Sequence, residues 1–325
     1  MILKDICCHF IKFCQLTRKL SEHTIRAYRK DLDIFCETIG PQTPIAQINH
    51  KLIKQYIEIL CHSDASMSSN KRRIACVKAM YRWMELEDHI SINPFNKIAI
   101  KLKLPRRLPR NIPNHELTIL IKKARQELGL SNQQNYTKSS LGPLIVRKRD
   151  LNKLTTVVIL ELLISTGIRV GELVAIKEQH IFWQEGRVRI LGKGQRERYV
   201  FIPDEQINQL LQSYLQLKSI TTSDKTQSDD SATLLVNSRG QSASTQFIRK
   251  LIKNLVQKTT INRNITPHMY RHSAACQLLQ ADVDIRFVQR LLGHHSISTT
   301  EIYTHVNDNV LQEKITKASV RDNLL

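Results

Sequence analysis

The stretch "LTTVVILELLISTGIRVGELVAIK", residues 154–177, is apolar at nearly every position of its first half, breaks at Thr166-Gly167, and resumes a helical pattern near Arg169. A helix that is apolar all round belongs inside a domain core, and the glycine supplies the break. An arginine and an acid, Arg169 and Glu172, then fall three residues apart at the start of the second helix.

Downstream of this stretch, "RVRILGKGQRERYVFIP" (187–203) alternates like two strands joined by a glycine-flanked turn with Lys193 at its tip. The segments "STQFIRKLIKNLVQKT" (244–259), "TPHMYRHSAACQLLQ" (266–280) and "DIRFVQRLLG" (284–293) return to helical periodicity. A mainly α domain with one small antiparallel β-sheet follows, an α+β arrangement. Two polar stretches, 129–143 and 219–233, carry no apolar period and read as surface loops.

Upstream, "LSEHTIRAYRKDLDIFCETIG" (20–40) places Ile25, Tyr28, Leu32, Phe35 and Ile39 on one helical stripe, with Ser21 as N-cap and Gly40 as stop. In "SSNKRRIACVKAMYRWMELE" (68–87) the stripe is Ile74, Val77, Tyr81 and Met84, while Lys71, Lys78 and Arg82 share another face suited to phosphates. Residues 101–113, "KLKLPRRLPRNIP", set prolines four apart among basic residues including Arg106, Arg107 and Arg110. That spacing excludes regular helix and favours an extended, positive connector able to run beside a duplex. The expected layout is an all-α N-terminal domain (1–100), a basic Pro-rich linker (101–113) and a C-terminal domain (114–325).

The 325 residues hold 49 Lys plus Arg against 29 Asp plus Glu, a formal net charge of +20. Residues 1–112 carry 20 basic and 10 acidic side chains, so the two parts of the chain share the excess equally. Charge spread over two folded regions fits one long polyanion, nucleic acid, better than a membrane patch. Seven cysteines, an odd number without paired CxxC spacing, read as reduced thiols and no zinc site. The apolar N-terminus is interrupted by Lys4, Asp5, His9 and Lys12, and no run reaches membrane-spanning length, so a cytoplasmic protein is expected.

In "TPHMYRHSAACQLL" Thr266 stands at a capping position and Pro267 suits the first helical turn, so His268, Arg271 and His272 fall on one face. Two imidazoles and a guanidinium near a helix N-terminus suit an anion, since arginine is no metal ligand and no carboxylate or thiolate completes a set. Beyond it lies "LLGHHSISTTEIYTHV" (291–306), which ends in a tyrosine beside a histidine.

Together, "STGIRVGELVAI", "GKGQRERYVFIP", "TPHMYRHSAACQLL" and "LLGHHSISTTEIYTHV" resemble, in the same order, the motifs of the tyrosine recombinases, the phage-integrase family, and most closely its Xer-like members. The resemblance is strong from about residue 150 onward and looser over 1–112, where the N-terminal region resembles the family's helical, SAM-like core-DNA-binding domain. It implies a two-domain, C-shaped clamp on double-stranded DNA and site-specific cutting and rejoining through a 3′-phosphotyrosyl intermediate, without cofactor, ATP or metal.

Carried over by motif, the catalytic set is Arg169 with the supporting Glu172, Lys193, His268, Arg271, His294 and the nucleophile Tyr303, nine residues beyond His294. The chemistry asks for these types. Attack on a phosphodiester builds negative charge on five-coordinate phosphorus, which two planar guanidiniums fixed in advance can neutralise. A phenol of pKa near 10 needs a proton acceptor, for which His268 is the candidate, and the leaving 5′ oxygen needs a proton, for which the resemblance implies Lys193.

"GHHS" puts His295 beside His294, so either imidazole can face the phosphate, with the nine-residue spacing favouring His294. The residues after Tyr303 suggest a short amphipathic helix through Val306, Val310, Leu311 and Ile315. In the family such tails dock on a neighbouring protomer, implying a tetramer on DNA or a related recombinase partner; a tail packed on its own domain is the other reading. A tyrosine-type topoisomerase and a non-cleaving DNA-binding regulator are the alternative functions.

Overall fold

The computed structural model describes residues 1–99, 111–130, 136, 148–192, 197–202, 204–222, 233–281, 283–293 and 315–316. The chain forms two compact units, Met1–Arg107 and Leu108–Leu325.

In the first unit, α1 (Leu3–Leu16), α2 (Glu22–Ile39), α3 (His50–His62) and α4 (Met67–Leu86) surround one apolar core. Ser21 caps α2, its hydroxyl accepting from the Thr24 N–H at 3.3 Å, and Gly40 ends the helix at φ +105°. Ile25, Leu32 and Phe35 are buried as the periodicity requires, while Tyr28 and Ile39 lie partly buried against the same core. On α4, Ile74, Val77, Tyr81 and Met84 are all buried, so Lys71, Lys78 and Arg82 are left facing solvent. Every regular element among the described residues of this unit is helical.

The second unit opens on α5 (Asn114–Glu127), preceded by Asn111–Pro113, the last residues of the connector. Ile112 is 1% exposed in this unit's core, so that end of the connector is built into the unit. Residues 100–110 lie outside the described residues. At the centre is α6 (Lys148–Thr166), the apolar helix of the opening stretch, packed against α5, α8 (Glu205–Thr222), α9 (Thr245–Val256) and α10 (Pro267–Gln280). The polar stretch expected as a loop over 219–233 begins later than its composition suggests, because α8 runs on to Thr222. Of the other polar stretch, Tyr136 is fully buried and donates to Glu161 of α6, so this stretch reaches the core at one point.

Between α7 (Val170–Val174) and α8 the chain makes a three-stranded antiparallel sheet, β1 (Ile181–Phe182), β2 (Arg187–Leu191) and β3 (Glu197–Phe201), in that order. The β2–β3 register pairs Val188 with Val200 and Ile190 with Arg198. Arg198 therefore stands on the sheet face that buries Val188, Ile190 and Val200. The last described helix is α11 (Ile285–Leu292), capped by Asp284 and closed by Gly293 at φ +62°.

Candidate active site

Three segments converge on the C-terminal end of α11. The first is the turn between α6 and α7. Gly167 sits there at φ +61°, and a Cβ on it would lie 2.8 Å from Leu292 Cδ2 and 3.2 Å from Ala274 Cβ, so a larger residue there is strained and has to displace the Leu292 side chain. Arg169 follows as the N-cap of α7, in extended backbone. Glu172, at the third helical position, reaches back: its Oε2 accepts the Arg169 N–H at 2.9 Å and its Oε1 accepts Arg169 Nη1 at 2.8 Å. The same guanidinium donates through Nη2 to the Gly293 carbonyl at 2.8 Å and keeps about a third of its side chain in solvent.

Arg271 comes from α10, which starts on Pro267; Thr266 holds the N-cap position without a side-chain capping hydrogen bond. Its guanidinium is buried, donating through Nη1 to the Gly167 carbonyl at 2.9 Å and through Nη2 to the Leu292 carbonyl. Burial, with the positive charge of Arg169 alongside, pushes its pKa down to about 10, so it stays cationic at neutral pH. His268 and His272 of the same helix are exposed. The structure thus splits the expected face, turning the guanidinium inward and leaving both imidazoles in solvent.

The third arginine was not singled out by the sequence. Arg198 of β3 meets Glu172 fork to fork, Nη1 to Oε1 at 2.9 Å and Nη2 to Oε2 at 2.8 Å, and donates through Nε to the Leu291 carbonyl at 2.8 Å. Its signal was present in the alternation: a cation at a core-facing strand position has to find a buried partner.

The last three carbonyls before His294 are therefore each taken by a different arginine, Leu291 by Arg198, Leu292 by Arg271 and Gly293 by Arg169. These are groups a helix end leaves unsatisfied. Burial by itself would raise the Glu172 carboxyl, but hydrogen bonds from Arg198 and from Arg169 outweigh it and hold the group below its ordinary value. One carboxylate among three guanidiniums leaves a net positive nest, and Arg169 is its solvent-facing member. Such a nest can hold a phosphate and neutralise charge that grows on it.

Lys193, His294, His295 and Tyr303 lie outside the described residues, as do Arg106, Arg107 and Arg110. Of the tail, Ile315 is buried in the core of its own unit. Among the described residues no cluster of three or more histidine, cysteine, aspartate or glutamate side chains is placed to hold a metal ion. None of their helices is long and apolar enough to cross a membrane.

The profile of the phage integrase family matches residues 144–310, and that of the phage integrase N-terminal SAM-like domain matches residues 8–88. A protein of Agathobacter rectalis named tyrosine recombinase is 35% identical over 91% of this chain and 90% of its own. A tyrosine recombinase XerC of Oceanobacillus iheyensis is 31% identical over 97% of this chain and 95% of its own. Among solved structures, the XerH site-specific recombinase bound to difH in a pre-cleavage complex shares the fold, with a TM-score of 0.64 and 21% identity over 93% of this chain and 81% of that one.

Proposed function

This chain belongs to the phage integrase family, as an Xer-like tyrosine recombinase, and from that membership we propose that it cuts and rejoins double-stranded DNA at a specific site. The observation that carries the reading is the convergence of Arg169 and Arg271, from separate helices, on adjacent carbonyls at the end of α11, with Arg169 open to solvent.

In this reading the two guanidiniums hold the scissile phosphate, with Glu172 fixing Arg169. The Tyr303 oxygen attacks phosphorus, its proton passing to His268, while His294 contributes a hydrogen bond to the phosphate. The bond to the 5′ oxygen breaks and that oxygen takes a proton from Lys193. The product is a 3′-phosphotyrosyl link and a free 5′-hydroxyl. The link keeps the energy of the bond it replaced, so attack by another strand's 5′-hydroxyl reverses the step without ATP. Exposed Lys71, Lys78 and Arg82 on α4, with Arg106, Arg107 and Arg110 of the connector, bind backbone phosphates. Function as a tetramer on DNA follows the same reading, while the burial of Ile315 in the core of its own unit supports a tail packed at that residue on its own domain. Seven cysteines, an odd set without paired CxxC spacing, support a reducing, cytoplasmic setting.

The test exposes the protein and its Tyr303→Phe variant to a library of nicked random duplexes, followed by denaturation and sequencing of the DNA that stays covalently attached. Adducts with a shared consensus, absent from the variant, are expected. Adducts without a consensus indicate a topoisomerase, and equal adducts from both proteins reject Tyr303.

A further inference from the structure

We propose that Arg198 is a positioning residue of the cleavage reaction, acting through Glu172 on Arg169 and through the Leu291 carbonyl on the end of α11. The inference rests on the recombinase reading above.

The bonds that Arg198 makes all run to protein groups. Nε, Nη1 and Nη2 each already donate to a protein acceptor, and only 14% of the side chain is exposed. What it does is complete the surroundings of Glu172. Each carboxylate oxygen receives one bond from Arg198 and one from Arg169: Oε1 from both Nη1 atoms, Oε2 from Arg198 Nη2 and the Arg169 backbone N–H. Two parallel bonds fix the plane of a carboxylate as well as its place, and only a guanidinium supplies them. The plane of Glu172 in turn aims the Arg169 fork, whose other arm is committed to the Gly293 carbonyl.

Arg198 also holds the α11 terminus. Gly293 packs so close to Arg198 that a Cβ there would lie 3.3 Å from its Nε. Arg198 thus ties β3, which follows Lys193 in the sequence, to the helix end that precedes His294 in the sequence, and to the helix start that bears Arg169. Among the described residues, only Arg198 and Arg169 donate both to Glu172 and to a carbonyl at the end of α11.

The experiment measures single-turnover adduct formation and binding affinity on a nicked duplex carrying the consensus recovered above, for Arg198→Ala, Arg198→Lys, Glu172→Gln and the Arg198→Lys/Glu172→Gln double variant. Arg198→Lys keeps the charge and the aliphatic stem but not the fork, so it retains the fold even where the alanine variant does not. The expected result is a cleavage rate lowered ~30- to 100-fold with affinity changed by less than about threefold, the signature of an interaction used in the transition state. Because Arg198 acts through Glu172, the double variant should be no slower than the slower single variant. An Arg198→Lys protein that cleaves within about threefold of the parent, or losses that multiply in the double variant, overturns the proposal. Absence of any adduct from the parent overturns the recombinase reading as well, which separates the two failures.

Discussion

Ser273 Oγ takes both backbone groups of Ile112, accepting its N–H at 2.7 Å and facing its carbonyl at 3.1 Å, and so pins the start of the second unit to the helix that carries Arg271. The tether is buried at both ends, Ile112 at 1% and Ser273 at 2% exposure. Ser273→Ala orphans a buried amide, which costs about 1–3 kcal/mol. Thermal unfolding should show the midpoint lowered by several degrees, and an unchanged midpoint would mean that the hydroxyl is dispensable.

Two glycines close together in sequence should respond in opposite ways to alanine. Gly167 combines a left-handed backbone with a Cβ position 2.8 Å from Leu292, whereas Gly171 lies in α7 with nothing within 4 Å of its Cβ position. Gly167→Ala should destabilise by roughly 1–2 kcal/mol or more and slow cleavage, since the Gly167 carbonyl holds Arg271. Gly171→Ala should leave stability unchanged or raise it by up to about 1 kcal/mol. Paired calorimetric scans check both.

Glu172 ties stability to pH with a definite sign. Its folded-state pKa lies below the unfolded one, so its contribution is present above the unfolded value, about 4.3, and fades as pH falls through the folded value. The gap in unfolding free energy between the parent and Glu172→Gln should therefore be widest near neutrality and close in acid. Urea titrations across that range measure it, and a gap independent of pH would show that the ionised carboxylate is not the stabilising form.

On α4, Lys71, Lys78 and Arg82 are exposed and carry no core packing, so replacing them with glutamine should leave the thermal midpoint within about a degree. DNA affinity should fall, and the slope of log affinity against log salt should shrink by about 0.9 for each phosphate contact removed. A slope identical to the parent's would exclude this face from the DNA.

The two-part organisation and the helical elements were legible because periodicity and capping act locally: Ser21 and Gly40 bound α2, and Gly167 breaks α6 from α7 where the apolar run stops. Arg169, Glu172 and Arg271 were legible only through their motifs, and their partners were not legible at all. The acceptors of Arg271 are the carbonyls of Gly167 and Leu292, which have no side-chain signature. Arg198 was hidden by composition, one basic residue among Arg187, Arg189 and Arg196, until register put it opposite buried Ile190. The continuation of α8 to Thr222 also escaped, because the helix ends inside a polar stretch whose composition looks like loop throughout.

The end of α11 carries an electrical consequence. A helix gathers about half a negative charge at its C-terminus, and here that pole lies among Arg169, Arg198 and Arg271. Together with Glu172, the peptide dipoles damp the mutual repulsion of the three cations before any DNA arrives. The protein thus keeps a built-in counter-ion in its arginine cluster, and the three guanidiniums are held in place by protein acceptors alone.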